Sequence, residues 1–228
     1  MNWEDECFLL SKRKFRENAN IINVFSQSKG KVSGIVYGGN SRKIRNYLQL
    51  SNKLFIIHNL KNENKIGYFK TELVEVIAPK YFDDKNKILC LNSISSMLRT
   101  LLPENQSYKN IYLSLGKFFD SLDKQDWLIQ YLNWEINLIT SLGFGFDFDI
   151  KKITDLNLKK TYNLKIDSID YKIPSFLLSK KFNDISQQEL HEGLNFCRNL
   201  MENKFFIPNN IKFPQSRKLL ENKFLKVS

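Results

Sequence analysis

The sequence lacks several features that would place the protein in a common functional class. Its 228 residues include only three cysteines and two histidines, which lie far apart along the chain. An odd number of scattered cysteines excludes a disulfide framework and a Cys-x-x-Cys metal pair, and it favours a reducing, cytoplasmic setting. The sequence has no apolar run long enough to span a membrane. Because the first ten residues carry three acidic and no basic side chains, we expect no secretory signal peptide.

The short motifs of the common enzyme classes are also missing. There is no Gly-x-Ser-x-Gly, no Gly-x4-Gly-Lys-Ser/Thr, no Gly-x-Gly-x-x-Gly and no His-Glu-x-x-His. Asp147 and Asp149 could project to one side of an extended segment and bind a metal. A helix-capping turn is the favoured interpretation, because no third ligand is nearby. We therefore predict that the protein is not an enzyme, and a metal-dependent nuclease built on these two aspartates is one alternative.

What the sequence does contain is apolar residues in quantity and an excess of positive charge. Hydrophobic residues make up 42% and aromatic residues 13% of the chain, which is enough to bury a core. The formal net charge is +11, from 35 basic and 24 acidic residues. A charge of this size suggests a polyanionic partner, most simply nucleic acid.

Residues 1–78 show the pattern of short β-strands. Five runs rich in Val, Ile, Phe and Tyr are separated by turn-forming clusters, and they are Glu6–Leu10, Asn20–Phe25, Val32–Tyr37, Lys53–Leu60 and Ile66–Ile77. Five strands with no intervening helix predict a small closed barrel, of which the OB-fold is one kind.

After residue 79 the pattern becomes helical. Ile88–Leu102 and Asn110–Leu122 are predicted helices, and Pro103 ends the first of them. Trp127–Leu142 is apolar on most of its faces, which predicts a buried helix at the centre of a second domain. Gly143 supplies its C-terminal stop.

The remaining sequence is predicted to add two helices and one less regular segment. Ser186 and the glutamate three residues later form a predicted capping box, and Pro214 begins a last helix. Residues 150–173 are polar and weakly periodic, which indicates a long loop or a small subdomain. The predicted fold class is α+β, with a five-stranded barrel domain at 1–78 and a mostly α-helical domain at 79–228.

Basic residues cluster at the ends of the predicted strands. The candidates for phosphate contacts are Lys12, Arg13, Lys14, Arg16, Lys29, Lys31, Arg42, Lys43 and Arg45. Because the ends of neighbouring strands meet in a barrel, these residues could form one patch that neutralises phosphates in a sequence-independent way. A run of charges is often only a solvated face, but the absence of acidic residues between Lys29 and Arg45 favours phosphate contact.

Aromatic residues are interleaved with these basic clusters. They are Phe15, Phe25, Tyr37, Tyr47 and Phe55. One or two of them could stack on bases, although a place in the core is the favoured interpretation for any single one.

Basic residues near the end of the chain are candidates for binding a protein partner. They are Arg198, Lys204, Arg217 and Lys218. Basic side chains around an apolar groove of amphipathic helices could hold an acidic, hydrophobic peptide tail. A solvated helix face is an equally good explanation.

Several segments together resemble the bacterial RecO family of recombination mediators. The most specific are the block Gly30–Arg45, with its small-residue strand and basic linker, and the Leu-Gly-aromatic-Gly-x-Asp-x-Asp turn at Leu142–Asp149. The N-terminal strand Asp5–Ser11, the segment Leu101–Glu104 and the stretch Pro214–Leu220 are also similar to the family. The resemblance is diffuse, but it covers most of the chain.

The resemblance implies an N-terminal OB-fold and a helical C-terminal domain. RecO-like proteins bind single- and double-stranded DNA and anneal complementary strands. They associate with RecR and with the acidic tail of single-strand-binding protein, and they help to place RecA on coated DNA. The implied role is DNA repair by recombination. An OB-fold RNA-binding or ribosome-associated factor is the alternative that the same barrel and charge would serve.

One departure from the family concerns zinc. Many relatives carry a four-cysteine zinc site after the Gly-x-Asp-x-Asp turn, whereas Ile150–Lys172 contains no cysteine. We therefore expect no zinc and no other cofactor, and a loop or small subdomain in place of a zinc module.

Overall fold

A computed structural model describes residues 2–60, 66–144, 161–179 and 185–225 of the chain. The chain divides into two compact units, residues 1–113 and 114–228. The sequence-based boundary at residues 78 and 79 marks a different feature, the change from strands to helices, and as a domain boundary it stays a prediction.

The first unit contains a closed five-stranded barrel. Its strands are β1 (Trp3–Arg16), β2 (Ala19–Ser26), β3 (Gly30–Tyr37), β4 (Lys53–Asn59) and β5 (Tyr68–Glu75). They follow each other around the barrel in the order β1-β2-β3-β5-β4. All neighbours are antiparallel except β3 and β5, which meet in parallel at one pair, Ile35 and Tyr68. The predicted OB-like barrel is confirmed.

Alternating side chains fill the inside of the barrel. On β3, Val32 and Val36 belong to the core cluster and Gly34 lies between them. A Cβ atom on Gly34 would lie 2.4 Å from the ring of Phe69, which is 2% exposed. The alternation that predicts the strand thus also selects which side chains are buried, and the glycine makes room for an aromatic ring.

A short helix interrupts the strands. Helix α1 (Arg42–Tyr47) lies between β3 and β4 and begins at Ser41, whose hydroxyl accepts a hydrogen bond from the amide of Ile44 at 3.4 Å. Ile44 and Tyr47 pack against the barrel core, and the hydroxyl of Tyr47 donates to the carbonyl oxygen of Thr71 at 2.8 Å. The expectation of five strands with no intervening helix is therefore wrong. A helix of six residues is too short to show a helical period in the sequence.

Helical segments complete the first unit. A 3₁₀ turn (Ala78–Tyr81) leads to α2 (Lys85–Leu101), and α3 (Lys109–Phe119) contains the point at which the two units divide. Tyr112 contacts two aromatic rings of the barrel's outer face, those of Phe8 at 4.9 Å and Phe25 at 5.7 Å between ring centroids. These contacts explain why both phenylalanines are buried although neither belongs to the core cluster inside the barrel.

The second unit is mainly helical. It contains α4 (Trp127–Ile139), the hairpin β6 (Thr161–Ile166) and β7 (Ile169–Pro174), α5 (Ser175–Ser179), α6 (Gln187–Met201) and α7 (Gln215–Asn222). One π-helical turn follows α4 (Thr140–Phe144) and another follows α6 (Glu202–Phe206). Most of α4 is buried, and Gly143 has a φ of 85° just after it, where the predicted stop lies.

The segment for which a loop or small subdomain is predicted contains the β6–β7 hairpin. Residues 150–160 of that segment lie outside the described residues. Within the part of the chain that the structure describes, no helix is both long and apolar enough to cross a membrane.

Candidate nucleic-acid interface

The second half of β1 carries four of the predicted phosphate-binding residues. Lys12, Arg13 and Lys14 pair with Ile22, Ile21 and Asn20 of β2, and Arg16 pairs with Ala19 at the turn. All four basic side chains are exposed. The strand extends past the barrel core here, so polar residues replace the buried residues of its first half.

Helix α1 carries three more of them. Arg42, Lys43 and Arg45 are exposed, and no residue of this helix is fully buried. Among the described residues, no carboxylate forms an ion pair with these three or with the four basic residues of β1. Glu17 is the one acidic residue in the sequence between Lys12 and Arg45.

Lys12 connects the strand to the segment that follows the helix. Its Nζ donates a hydrogen bond to the carbonyl oxygen of Leu48 at 2.8 Å. Although the residue as a whole is exposed, partial burial of its ammonium group lowers the pKa of Lys12, and the positive charge of Arg45 lowers it further. A positive charge that lowers the pKa of a lysine in this way lies close to it, and a bound anion would offset the repulsion between the two. We call Lys12, Arg13, Lys14, Arg16, Arg42, Lys43 and Arg45 the basic surface.

Lys29 and Lys31 do not belong to the basic surface. They follow the end of β2, whereas Arg16 and Tyr37 both pair with Ala19 at its beginning. Eight residues of strand, at about 3.3 Å each, separate the two ends. The side chain of Lys31 already has partners within the protein. Its Nζ donates to the carbonyl oxygen of Arg99 at 2.7 Å and lies 3.5 Å from a carboxylate oxygen of Glu104.

A cleft lined by aromatic residues lies beside Arg16. It has a volume of about 710 Å³, and its lining residues are Phe15, Arg16, Ile35, Tyr37, Asn59, Ile66, Gly67 and Tyr68. Phe15 is 41% and Tyr37 58% exposed. The guanidinium carbon of Arg16 lies 5.2 Å from the ring centroid of Phe15, and the rings of Tyr37 and Tyr68 are 6.2 Å apart. We call this the aromatic cleft.

The other interleaved aromatic residues lie elsewhere. Phe25 is fully buried, Tyr47 is held by its hydrogen bond to Thr71, and Phe55 is partly covered on β4. Tyr68 is not one of the predicted aromatic candidates. It lies in the last predicted strand and is the first residue of β5, and only the pairing of β3 with β5 brings it to Tyr37.

The four basic residues predicted to bind a partner occupy different environments in the second unit. Arg198 pairs with Glu221 at 3.0 Å and Glu202 at 3.4 Å, and Lys204 pairs with Asp167. Lys218 is half-buried, and among the described residues no carboxylate pairs with it. Arg217 is fully buried, so we leave it out of any surface.

Arg217 binds an acid that lies on another helix. Its Nε and Nη2 donate to the two carboxylate oxygens of Glu135 at 2.6 and 2.9 Å, and Nη2 also donates to the carbonyl oxygen of Leu194 at 2.8 Å. Burial alone would lower the pKa of Arg217, but the carboxylate of Glu135 outweighs it and raises that pKa above its usual value. A charge pair of this kind connects α4, α6 and α7, which is a structural role.

Glu135 itself is missed by sequence reasoning. It is 0% exposed and accepts a further hydrogen bond from the hydroxyl of Tyr131 at 2.5 Å. The sequence feature that could have identified it is a single acidic residue four positions after Tyr131, on the apolar face of α4. Such an acid predicts a buried basic partner.

The two aspartates weighed as metal ligands, Asp147 and Asp149, lie outside the described residues. Within the described ranges, no group of three or more His, Cys, Asp or Glu side chains could hold a metal ion. The cysteines Cys7, Cys90 and Cys197 are buried, and none of them forms a disulfide.

Comparison with known proteins gives consistent matches. A family model described as "Recombination protein O N terminal" matches residues 1–77, and one described as "Recombination protein O C terminal" matches residues 83–210. Curated proteins named "DNA repair protein RecO" are also similar. One from Roseobacter denitrificans is 33% identical over 155 residues, which are 68% of this chain and 64% of that protein. One from Wolbachia pipientis wMel is 27% identical over 239 residues, covering 96% of this chain and 99% of that protein.

Proposed function

The chain belongs to the RecO family of DNA repair proteins, and from this premise we propose that it binds single- and double-stranded DNA and anneals complementary strands. In this proposal it also helps to load RecA onto DNA coated with single-strand-binding protein, together with RecR. The observation that carries the DNA-binding part is the basic surface. Seven exposed basic side chains on β1 and α1 have no carboxylate partner among the described residues.

The proposed mechanism is charge neutralisation. Two single strands repel each other through their phosphates, and basic side chains that replace the counterions lower this repulsion. Strands held on the protein can then pair. This mechanism needs no covalent step, so we propose that the protein is not an enzyme. It needs no zinc or other cofactor either, and we propose that the protein works in the cytoplasm.

Reversing the charges of α1 tests the DNA-binding part. In the triple variant Arg42→Glu, Lys43→Glu and Arg45→Glu, DNA affinity should fall strongly. The slope of log affinity against log salt should shrink by up to about 2.7, because each lost phosphate contact removes about 0.9. The measurement is fluorescence anisotropy of a labelled duplex oligonucleotide over a range of salt concentrations.

A control variant carries the same change of net charge elsewhere in the first unit. Lys29, Lys85 and Lys109 are exposed and outside the basic surface, and reversing all three to Glu should leave most of the affinity and slope intact. Equal losses in the two triple variants would show that only total charge matters. Unchanged binding in a folded α1 variant would remove the basic surface from the proposal.

The proposed contact with single-strand-binding protein concerns the second unit. Lys218 and the exposed Leu219 beside it, on α7, offer a cation and an apolar side chain to an acidic, hydrophobic tail. Arg198 and Lys204 lie in the same unit but already have carboxylate partners. Titrating a labelled tail peptide tests the contact. Anisotropy that stays constant at high protein concentration would contradict it.

Strand annealing tests the mediator role. Two complementary labelled oligonucleotides should anneal faster with the protein, both bare and coated with single-strand-binding protein. Acceleration on bare strands alone would leave a general DNA-binding protein without the mediator function.

A further inference from the structure

We propose that a cavity between β1 and α2 binds a phosphate monoester, the group that a free mononucleotide and the end of a DNA strand both carry. We call it the α2 cavity. Its volume is about 350 Å³, and it shares no lining residue with the aromatic cleft. Sites for small molecules have volumes of about 300–1,000 Å³. The inference goes beyond the proposed function, which needs only phosphodiesters along a strand.

One face of helix α2 supplies most of the polar lining. Asn92, Ser95, Ser96 and Arg99 all line the cavity, and their spacing of i, i+3, i+4 and i+7 places them on one side of the helix. The polar side of a helix usually meets open solvent. Here that side faces β1, against which α2 packs. The helix therefore directs four polar side chains toward a bounded space.

The cavity is lined by two cations and by no acid. Lys12 of β1 and Arg99 of α2 belong to its lining, and none of its lining residues in the described part of the chain is Asp or Glu. Across the described ranges, no carboxylate forms an ion pair with either cation. The ligand that such a lining attracts is an anion.

Both cations have donors left for that anion. The ammonium group of Lys12 has three N–H donors, and one of them is used on the carbonyl oxygen of Leu48 at 2.8 Å. The guanidinium of Arg99 has five donors, and no acceptor among the described residues takes any of them. Partial burial and Arg45 lower the pKa of Lys12, and a bound anion would offset this effect.

Ser95 provides a buried donor at the same place. It is 3% exposed, and its hydroxyl oxygen has no hydrogen-bond partner within the described residues. A buried hydroxyl without a partner costs stability, so most such groups in proteins are paired. An anionic oxygen in the cavity would give Ser95 an acceptor. This serine is thus an independent sign that a polar ligand completes the site.

The donor set favours a terminal phosphate over the phosphates inside a strand. A planar guanidinium, an ammonium and a hydroxyl come from two different elements, which suits a group with three free oxygens. A phosphodiester has two free oxygens and is continued by sugars on both sides, so it fits an open surface better than a cavity. The volume exceeds that of a cavity which admits benzene, about 150 Å³, so a sugar can enter with the phosphate.

Isothermal titration with thymidine 5′-monophosphate tests the site. The unaltered protein should bind this nucleotide and should not bind thymidine. Arg99→Gln should weaken binding by about 10- to 150-fold, the range for a hydrogen bond to a charged group, and Ser95→Ala should weaken it by about 10-fold. Lys12 is left unaltered, because it also belongs to the basic surface.

A thermal unfolding experiment separates a binding role of Ser95 from a structural one. Without ligand, Ser95→Ala should unfold at the same temperature as the unaltered protein or higher, because the lost hydroxyl has no partner. The rise in unfolding temperature that the nucleotide causes should be smaller in this variant. A fall in the unfolding temperature without ligand, with an unchanged rise on adding nucleotide, would make Ser95 structural and overturn its place in the site.

A matched control removes one positive charge from the same helix. Lys85 is exposed on α2 and does not line the cavity, so Lys85→Gln should bind the nucleotide as the unaltered protein does. Equal losses in Lys85→Gln and Arg99→Gln would overturn the site, because only total charge would then matter.

Two oligothymidines of equal length identify the source of the phosphate. One carries a 5′-phosphate and the other a 5′-hydroxyl. Tighter binding of the phosphorylated strand, lost in Arg99→Gln, would support the site and assign it to strand ends. Equal binding of the two strands, together with binding of the nucleotide, would support the site and assign it to free nucleotides.

The remaining outcomes distinguish this inference from the proposed function. Duplex binding without nucleotide binding and without a preference for the 5′-phosphate would overturn the α2 cavity while the basic surface stands. Nucleotide binding without any binding of duplex or single strands would overturn the proposed function while the cavity stands. Equal affinity for thymidine and thymidine 5′-monophosphate would overturn the assignment to phosphate.

Discussion

Replacing Arg217 by methionine should destabilise the second unit by about 3–5 kcal/mol, because it leaves a buried carboxylate without its partner. Arg217 and Glu135 are both 0% exposed, and two hydrogen bonds of 2.6 and 2.9 Å join them. After the substitution, Glu135 keeps the hydroxyl of Tyr131 as a donor and loses both guanidinium donors. The carbonyl oxygen of Leu194 loses its donor as well.

Removing both charges together should lower the free energy of unfolding far less than removing Arg217 alone. In the double variant Glu135→Leu and Arg217→Met, apolar side chains of comparable length replace the pair, and such replacements are often neutral or stabilising. The double variant should therefore recover most of the stability lost in Arg217→Met. The interaction between the two substitutions then measures the cost of an unpaired buried charge.

Urea unfolding is the appropriate assay. Trp134 is buried and its ring centroid is 6.1 Å from that of Tyr131, so its share of the fluorescence of the three tryptophans reports on the surroundings of the pair. With a slope of about 1–3 kcal/mol/M, a loss of 3 kcal/mol lowers the midpoint by at least about 1 M. Lys218→Met, on the same helix at a partly exposed site, should change the free energy of unfolding by less than about 0.5 kcal/mol.

The result that would refute this reasoning is a small effect. If Arg217→Met changed the free energy of unfolding by less than about 1 kcal/mol, the arginine would contribute no more than a surface ion pair does. A double variant as unstable as Arg217→Met would also contradict it, since the loss would then come from packing rather than from the unpaired charge.

Two further predictions concern the barrel. Lys12 should lose its proton below the ordinary lysine pKa of about 10.4, because partial burial and Arg45 lower its pKa, and DNA affinity should fall as the pH rises through that range. Lys12→Arg should remove this early fall, and identical pH profiles would contradict the prediction. Gly34→Ala should cost about 1–3 kcal/mol in thermal or urea unfolding, because the new Cβ would lie 2.4 Å from the ring of Phe69. Combining it with Phe69→Leu should cost less than the two single losses together, and simple additivity would refute the clash.

Local patterns in the sequence predicted the local elements well. The predicted strand Val32–Tyr37 corresponds to β3, and the predicted capping box at Ser186 begins α6, with the serine hydroxyl accepting a hydrogen bond from the amide of Glu189 at 3.3 Å. These features depend on neighbours within a few residues, so the sequence contains all that is needed. Helix α1 is the exception, because six residues carry no visible period.

The grouping of charges could not be predicted in the same way. Lys29 and Arg42 are close in sequence with no acid between them. Lys29 follows the end of β2 and Arg42 follows the end of β3, and because the two strands are antiparallel, these ends lie at opposite ends of the strand pair. Lys12 and Arg45 are far apart in sequence, yet the positive charge of Arg45 helps to lower the pKa of Lys12. Which cations share a surface depends on strand register, and register is a property of the folded barrel.

The sequence by itself determined the barrel-forming strands, the helical second half, the excess of positive charge and the family, because each is written in composition or short-range pattern. The tertiary structure decided which residues act together. It buried Arg217 against Glu135, 82 positions away, and brought Tyr68 to Tyr37 across the β3–β5 seam. The physical reason is that burial and ion pairing depend on contacts between distant segments, which no local periodicity specifies.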